Sequence, residues 1–444
     1  MILILLVASV ALIILLTAKL NVHPFLALLL ASFFFALTTG MPFDLILSSI
    51  EEGFGGTLGK IGLVILLGVV IGAFLENTGG AYKMAAVVLH LIGRKNVHAA
   101  MGIIGYIVSI PVFADSGFII LNPLNKSLSK KSKLSIAGTG VALMLGLMLT
   151  HVLVPPTPGP IAAAGILEAD IGLVMLLGLG ISLFGLIVAI IFSKKIAGKT
   201  YIDPNPELSE ADIEKKMAEA PNAFRSFLPI LVPILLIVGK SLITFFANEA
   251  MTSSFLFQLI SFVGSPLIAL IIGMLLAFTL PKKLNQSLFS ESGWVGKAFL
   301  SASTILLITG AGGIFGKILQ NSGIGAVIAD LFDGISMGIW LPFLLTASIK
   351  SAQGSSTVAL ITSASIMAPL MSSMGFDTEL QKALLVVTIG AGGLVVSHAN
   401  DSAFWVVTQL TGMDVKTGYK LYSLGTFAVG LSCALLIFML SLAL

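Results

Sequence analysis

The chain has 444 residues, of which 57% are hydrophobic and only 10% are charged, and its formal net charge is +3 at pH 7. Soluble globular domains carry about a quarter charged residues, so this composition excludes an ordinary soluble domain and indicates a protein embedded in a lipid bilayer. No basic and aromatic pattern of the kind that binds nucleic acid accompanies the small positive charge. The single cysteine, Cys433, excludes an intrachain disulfide and any metal site built from several thiolates.

Apolar segments close to the roughly 20 residues that a helix needs to cross a bilayer follow one another along the chain. The first lacks the basic start and the small-residue cleavage site of a signal peptide, so we expect it to be a retained span. The pattern predicts an all-α polytopic membrane protein with about 10–12 transmembrane helices. Spans are predicted at residues 1–18, 24–41, 61–78, 134–165, 170–193, 226–247, 255–280, 298–319, 381–411 and 421–443.

Two further apolar stretches, 98–124 and 336–371, carry polar residues at their centres. If each is a re-entrant hairpin that enters and leaves on one side, every cluster of lysine and arginine falls on one side of the membrane. This side is then the cytoplasmic one, because cytoplasmic loops of membrane proteins are enriched in lysine and arginine. Both termini then lie outside, and we expect the short segment 81–93 at the membrane interface. The clusters are Arg94-Lys95, Lys126 to Lys133, Lys194 to Lys199, Lys282-Lys283 and Lys416 to Lys420.

A polar stretch at 201–222 is predicted to be a cytoplasmic linker between two halves of the chain, 1–200 and 223–444. Residues 71–80 match 315–324 in sequence, and further matched pairs follow in the same order, which indicates an internal duplication. With five spans in each half, the second repeat would be inverted relative to the first, as in many secondary transporters. Each repeat then contains one re-entrant hairpin and one broken helix.

Polar, helix-breaking sequence at membrane depth is tolerated only where protein buries it or where it lines a cavity. In the first hairpin, Asp115 and Ser116 stand between Pro111 and Gly117, which loosen the helix and expose backbone groups. A carboxylate in an apolar run is costly unless it is paired, hydrated or protonated, so Asp115 is a candidate for proton coupling and Ser116 for solute binding. The alternative is a structural carboxylate paired with a lysine or a backbone donor.

The predicted span 134–165 contains four prolines and a glycine between His151 and Pro160, a density that no continuous helix survives. The break frees amide and carbonyl groups for a solute, and we expect Thr157 and the backbone at Gly159 to be the contacts. His151 is a candidate proton carrier, because imidazole changes its charge near physiological pH. The equally weighted alternative is a neutral histidine bonded to a nearby carbonyl.

The second hairpin contains a dense set of hydrogen-bond donors and acceptors around a glycine. Such a set suits a polyhydroxylated solute, although small residues also serve helix packing in membranes. Lys350, just before this set, is the expected partner for an anionic group, and the alternative is a lysine that extends its amine to the membrane surface. The candidate solute contacts are Gln353, Gly354, Ser355, Ser356 and Thr357.

His398, Asn400 and Asp401 interrupt the predicted span 381–411 at the place that matches His151 in the first half. Asn400 is a candidate for hydrogen bonds to solute hydroxyls. Asp401 and His398 are candidates for carrying a coupled proton, since acids inside membrane helices are functional by default. The alternative is a polar network that only joins the two ends of the broken helix.

Three of these segments, His151 to Pro160, Gln353 to Ala359 and Ser397 to Trp405, resemble the signatures of the gluconate permease family. The resemblance extends over nearly the whole chain and implies two inverted repeats whose re-entrant hairpins and broken helices meet at the substrate. It also implies a homodimer, in the bacterial inner membrane, that takes up sugar acids together with protons. Some members of the family carry glycerate, fructuronate or D-serine instead.

Three positions depart from the pattern of the gluconate-transporting members. Asp115 stands where glutamate is usual, Thr157 where histidine is common and Lys350 where arginine is frequent. A shorter acid and a point charge change the reach and the geometry of the site. These departures leave the choice of solute open within the family.

The sequence therefore favours proton-coupled uptake of gluconate or a related small hydroxy acid. Sodium coupling is an alternative, because hydroxyl, amide and freed carbonyl oxygens also suit Na⁺, and a channel is a second one. An enzyme is not expected, and no His-Glu-x-x-His metal motif is present. We expect no cofactor, no metal and no nucleic-acid partner; the expected partners are the small anionic solute, the lipid bilayer and a second copy of the chain.

Overall fold

The computed structural model describes residues 2–93, 96–205, 218–247, 249–324, 327, 338–399 and 401–443. In these residues all regular elements are helices and no strand occurs, so the predicted all-α fold is confirmed. Helices satisfy their backbone hydrogen bonds within one segment, which is what a bilayer without water demands.

The first half of the chain folds into α1 (Ile2–Ile14), α2 (Pro24–Thr38), α3 (Phe43–Asn77), α4 (Gly80–Ile92), α5 (Val97–Val108), α6 (Ala114–Lys131), α7 (Ile136–Leu153), α8 (Pro158–Ile166) and α9 (Ile171–Lys195). A π-helical turn, Leu15–Lys19, continues α1, and a 3₁₀ turn, Ala197–Lys199, follows α9. The segment predicted at the membrane interface, 81–93, is thus a short helix of its own, α4.

The second half folds into α10 (Ala223–Phe246), α11 (Phe255–Val263), α12 (Pro266–Ala277), α13 (Trp294–Asn321), α14 (Trp340–Gln353), α15 (Ser356–Met367), α16 (Glu379–Leu394), α17 (Ser402–Thr411) and α18 (Leu424–Ser441). Short helical turns lie between them at Glu249–Thr252, Gln286–Phe289, Ala368–Leu370, Ser372–Met374, Val415–Gly418 and Tyr419–Ser423.

Six stretches of the described residues are long and apolar enough to cross a membrane, judged by length and composition. They are Phe43–Asn77, Ile136–Ile166, Ile171–Lys199, Ala223–Thr244, Gln286–Asn321 and Val415–Ser441. A seventh arises if α11 and α12, which meet at a bend of 60°, form one span. The polytopic membrane fold is therefore confirmed, whereas the total of ten to twelve spans and the inversion of the repeats stay predictions.

Helix α3 begins at Phe43, well before the span predicted to start at residue 61. The acidic, glycine-rich sequence between these points is typical of a loop. A Cβ added at Gly53 would lie 2.6 Å from the carbonyl oxygen of Gly313, so α3 and α13 touch through their backbones. This close packing, which only glycine permits, explains why the polar half of α3 is helical.

The predicted span 255–280 is not one straight helix, because the chain bends by 60° between α11 and α12. Pro266 is the first residue of α12, and its ring leaves no N–H to bond with the preceding turn. Ser265, just before it, has the extended backbone that a residue before proline prefers. Proline chemistry therefore accounts for the bend.

Helix α5 packs tightly against α7. A Cβ added at Gly146 would lie 2.1 Å from the carbonyl oxygen of Gly102, and one added at Gly105 would lie 2.3 Å from that of Leu143. The two backbones therefore contact each other directly, with no side chain between them. This contact fixes α7 to the helix pair formed by α5 and α6.

Substituting Gly146 by alanine is expected to lower the free energy of unfolding by about 1–3 kcal/mol, because the new methyl group must displace the backbone of α5. Gly180→Ala on α9 is the matched control, since nothing lies within 4 Å of a Cβ added there. Its stability should stay the same or rise slightly, because alanine favours a helix more than glycine does. Thermal unfolding in detergent compares the variants, and equal midpoints would contradict the contact.

Candidate functional site

All four polar segments singled out in the sequence interrupt helices. Residues 109–113 separate α5 from α6, residues 154–157 separate α7 from α8, residues 354–355 separate α14 from α15, and residues 395–401 separate α16 from α17. Prolines, glycines and polar side chains thus end helices where their chemistry predicts. That the pairs α5–α6 and α14–α15 enter and leave on one membrane side stays a prediction.

Three of these breaks, together with α7, surround one cavity of about 440 Å³. Binding sites for small molecules measure about 300–1,000 Å³, so the cavity has the size of a site for a small solute. Both halves of the chain contribute to its wall. The lining residues are Phe113, Ala114, Asp115, Met148, His151, Gln353, Gly354, Ser355, Ser356, Thr357, Asp401, Ser402 and Ala403.

The N-terminal ends of three helices, α6, α15 and α17, lie at this cavity. Helix N-termini present unbonded N–H groups and a partial positive charge, and both attract anions. Ser355 caps α15 by accepting a hydrogen bond from the Val358 amide, at 3.3 Å, and Asp401 caps α17 through the Ala403 amide, at 3.1 Å. Helix α6 begins without a side-chain cap among the described residues, so its first amides suit a carboxylate of the solute.

Asp115 lines the cavity and joins the two halves. Its Oδ2 accepts a hydrogen bond from the Ser402 hydroxyl at 2.6 Å. Within the described part of the chain, no lysine or arginine forms an ion pair with this carboxylate. Asp115 is therefore the acid at the cavity wall whose charge is not compensated by a bonded cation.

Asp401 forms a buried ion pair with Lys350. The Lys350 Nζ lies 2.6 Å from Asp401 Oδ2, and the two side chains are 0% and 7% exposed. Lys350 also donates to the Gly354 carbonyl, and the Ser397 hydroxyl donates to the Asp401 carboxylate. A buried charge needs such partners to be tolerated. The pair connects the break between α14 and α15 with the break before α17.

Lys350 thus does not line the cavity in this structure, although the sequence predicts direct contact with an anionic solute. Its stem is fully buried in α14, and its amine is held by the Asp401 carboxylate and the carbonyl of Gly354. Sequence cannot reveal this partner, because Asp401 comes from another helix. The position of Lys350 supports a role in shaping the cavity wall.

The two histidines predicted to carry a proton, His151 and His398, have different surroundings. His151 lines the cavity, with its ring centroid 6.1 Å from that of Phe113, and its Nδ1 has no hydrogen-bond partner among the described residues. His398 lies outside the cavity wall; its Nε2 is 2.7 Å from the Ser351 carbonyl, and its ring stacks on Tyr419. His151 therefore can reach a solute, whereas His398 joins helix ends.

All five residues predicted in the second hairpin, from Gln353 to Thr357, line the cavity. Gln353 donates to the Ser355 carbonyl at 2.9 Å, and the Ser356 hydroxyl donates to the Gly393 carbonyl at 2.9 Å. These bonds hold the turn in place and still leave acceptor sites on the hydroxyl oxygens. The structure therefore brings this cluster together at one wall.

Three other predicted contacts do not line the cavity. The Thr157 hydroxyl donates to the Val154 carbonyl at 2.6 Å and is buried beside the tip of the first hairpin. Gly159 faces α15, where an added Cβ would lie 3.2 Å from the side chain of Leu360. Ser116 is half-buried on α6, and Asn400 lies outside the described residues. Helix α8, which follows the break, thus packs against α15 at Gly159, and contact of these residues with a solute stays a prediction.

Sequence reasoning missed Ser402 and Met148 in the cavity wall. Ser402 directly follows Asp401 and is the first residue of α17, so the end of the polar segment was a usable signal. Met148 stands in a uniformly apolar helix, and nothing in the sequence distinguishes it. No group of three or more potential metal ligands occurs in the described part of the chain.

Helices that break around a polar cavity shared by both halves of a membrane protein are typical of membrane transporters. The family model described as GntP family permease matches residues 1–443. The chain therefore belongs to the GntP permease family, and it is a permease and not an enzyme.

Similar proteins cover almost the whole chain. An uncharacterized permease of Haemophilus influenzae is 39% identical over 440 residues, which cover 95% of this chain and 88% of the relative. An inner membrane permease of Escherichia coli is 35% identical over 438 residues, with 95% and 94% covered. A gluconate permease of Pseudomonas aeruginosa is 35% identical over 428 residues, with 94% and 92% covered. The family resemblance read from the motifs is thus confirmed.

Two solved structures share the fold. MtrF of Neisseria gonorrhoeae, described as illuminating a class of antimetabolite efflux pumps, has a TM-score of 0.63 at 13% identity and covers 88% of this chain and 83% of its own. The YdaH transporter of Alcanivorax borkumensis has a TM-score of 0.61 at 16% identity and covers 89% of this chain and 88% of its own. At such identities the similarity concerns the fold alone.

Proposed function

We propose that this permease takes up gluconate, or a related small hydroxy acid, together with a proton across the bacterial inner membrane. The observation that carries the proposal is the cavity between the halves. It combines helix N-termini for a carboxylate with the hydroxyls of Ser355, Ser356 and Thr357 for the hydroxyls of a solute. The gluconate and inner membrane permeases among the relatives support the solute and the location.

The charges at the cavity support coupling to a cation. Asp401 and Lys350 neutralise each other, which leaves the Asp115 carboxylate as an uncompensated negative charge at the wall. An anionic solute would be repelled by this charge in a cavity of low dielectric constant. A proton on Asp115 removes the repulsion, so the proton and the anion favour each other's binding. His151, whose imidazole can hold a proton, also lines the wall.

Sodium in place of the proton, and glycerate, fructuronate or D-serine in place of gluconate, are the alternatives that keep the same site. The backbone and hydroxyl oxygens at the cavity also suit Na⁺. A channel is less favoured, because an uncompensated acid at the cavity would repel the anion that the channel has to conduct. We further propose that the functional unit is a homodimer.

Uptake by proteoliposomes tests the proposal. Labelled gluconate should accumulate when an inward proton gradient is imposed, and replacing Na⁺ by K⁺ should leave uptake unchanged. Competition by unlabelled gluconate, glycerate, fructuronate and D-serine identifies the solute. Absence of uptake for all four solutes, or uptake that does not depend on the proton gradient, would overturn the proposal of proton symport.

A further inference from the structure

Helix α17 packs against α6 and α7 of the first half of the chain. Ser402, Trp405 and Gln409 form its exposed face, whereas its opposite face is buried. The helix is bounded by the break at 395–401 on one side and by Gly412, with a φ of +73°, on the other. Both ends of α17 are therefore places where the backbone can turn.

Two hydrogen bonds fasten α17 to α6. Ser402 donates to Asp115 at the cavity end, at 2.6 Å, and the Asn122 amide donates to the Leu410 carbonyl near the other end, at 3.2 Å. We call the contact zone between these bonds the α6–α17 seam. It starts at the solute cavity and follows α6 away from it.

Buried amides continue from Asp115 along the same helix. Asn122 and Asn125 follow Asp115 at helical spacing, and their side chains are 3% and 0% exposed. Asn122 Oδ1 and Asn125 Nδ2 have no hydrogen-bond partner among the described residues. A buried polar atom without a partner costs free energy, so these amides are poor choices for a purely structural seam.

The seam leads toward the lysine-rich end of α6, at Lys130 and Lys131. Positively charged ends stay on the cytoplasmic side, so the seam connects the cavity with the cytoplasm. It is closed in this structure, because a Cβ added at Gly140 on α7 would lie 2.6 Å from a methyl group of Thr411. A solute can pass only when α17 moves away from α6 and α7.

We propose that the α6–α17 seam is the cytoplasmic release route, and that Asn122 and Asn125 form a second polar contact for a hydroxylated anion as it leaves. This inference rests on the proposed transport function. Opening breaks the bonds Ser402–Asp115 and Asn122–Leu410 and uncovers both amides. The amides then meet solute hydroxyls or water, which satisfies the polar atoms that the closed seam leaves unpaired.

The first test replaces both amides by the near-isosteric Asn122→Leu and Asn125→Leu. Gluconate binding in detergent should keep its Kd, because neither residue lines the cavity, while uptake falls about tenfold or more, since the route becomes apolar. The thermal midpoint of Asn125→Leu alone should stay or rise, because it removes an amide nitrogen without a partner among the described residues, whereas Asn122→Leu also loses the hydrogen bond to Leu410. Ser193→Ala is the control and should leave uptake unchanged, because it removes a buried hydroxyl on α9 that has no hydrogen-bond partner in the described part of the chain.

Unchanged uptake in the leucine variants would overturn the inference, and so would a loss of thermal stability together with uptake in Asn125→Leu alone, since that marks a structural role. Failure of the wild-type protein to transport would instead overturn the proposed function.

A second measurement does not depend on uptake. Asn125→Cys, made in a Cys433→Ala background, should react with a membrane-impermeant maleimide in inside-out vesicles. In right-side-out vesicles it should react at least about fivefold more slowly, because the seam opens to the cytoplasm. The wild-type Cys433, which is buried, should not react. Reaction from the outside only, or from neither side, would contradict the route.

Discussion

Replacing Lys350 by methionine is expected to lower the free energy of unfolding by about 3–5 kcal/mol, the usual loss when one partner of a buried ion pair is removed. Asp401 would then remain buried with a negative charge, and its partners among the described residues would be the Ser397 hydroxyl and the Ala403 amide. Denaturant titration in detergent micelles measures the loss.

The double variant Lys350→Met with Asp401→Asn separates the contribution of the charge pair to stability from that of side-chain packing. Asparagine keeps the shape of aspartate and can still accept from Ala403, so most of the lost stability should return. A double variant as unstable as Lys350→Met alone would show that the lysine acts through something other than this charge pair.

The exposed ion pair Lys130–Asp203 is the control for the buried pair Lys350–Asp401. Its atoms are 2.9 Å apart, but the side chains are 54% and 50% exposed. The hydrogen bond from Lys130 lowers the pKa of Asp203, which lies in the polar segment after α9. Because water screens such a pair, Lys130→Met should leave the unfolding midpoint unchanged.

Local chemistry allowed the sequence to predict where helices break. Pro155, Pro156 and Gly354 lie where a helix stops, and Pro158 is the first residue of the next helix, for reasons that involve only their neighbours in the chain. The polar cluster from Gln353 to Thr357 could also be predicted from local sequence. A dense polar turn inside an apolar run is tolerated at membrane depth only where protein buries it or where it lines a cavity.

Tertiary contacts explain what the sequence could not show. The start of α3 at Phe43 depends on the approach of Gly53 to Gly313, and the burial of Lys350 depends on Asp401. Each pair is distant in sequence. Gly53 alone fits a loop between two predicted spans, and Lys350 alone fits a contact with the solute. Asn122 and Asn125 likewise gain meaning only when α17 is seen to cover them.

Substituting Asp115 by asparagine is expected to reduce gluconate uptake driven by a proton gradient about a hundredfold, which corresponds to about 2.7 kcal/mol in the barrier to transport. Asparagine keeps the volume and an oxygen that accepts from Ser402, but it cannot release a proton. It therefore resembles the protonated acid permanently. Gluconate should still bind, and its affinity should no longer increase as the pH is lowered.

Exchange separates coupling from binding in this variant. Counterflow of labelled for unlabelled gluconate needs no net proton transfer, so Asp115→Asn should retain it within about threefold of the wild type while gradient-driven uptake is lost. Ser402→Ala is the matched control, because it removes the hydrogen bond at 2.6 Å and keeps the carboxylate; its uptake should still respond to the gradient. If Asp115→Asn accumulates gluconate as the wild type does, the coupled proton travels on another group at the cavity wall, where His151 and Asp401 are the further candidates.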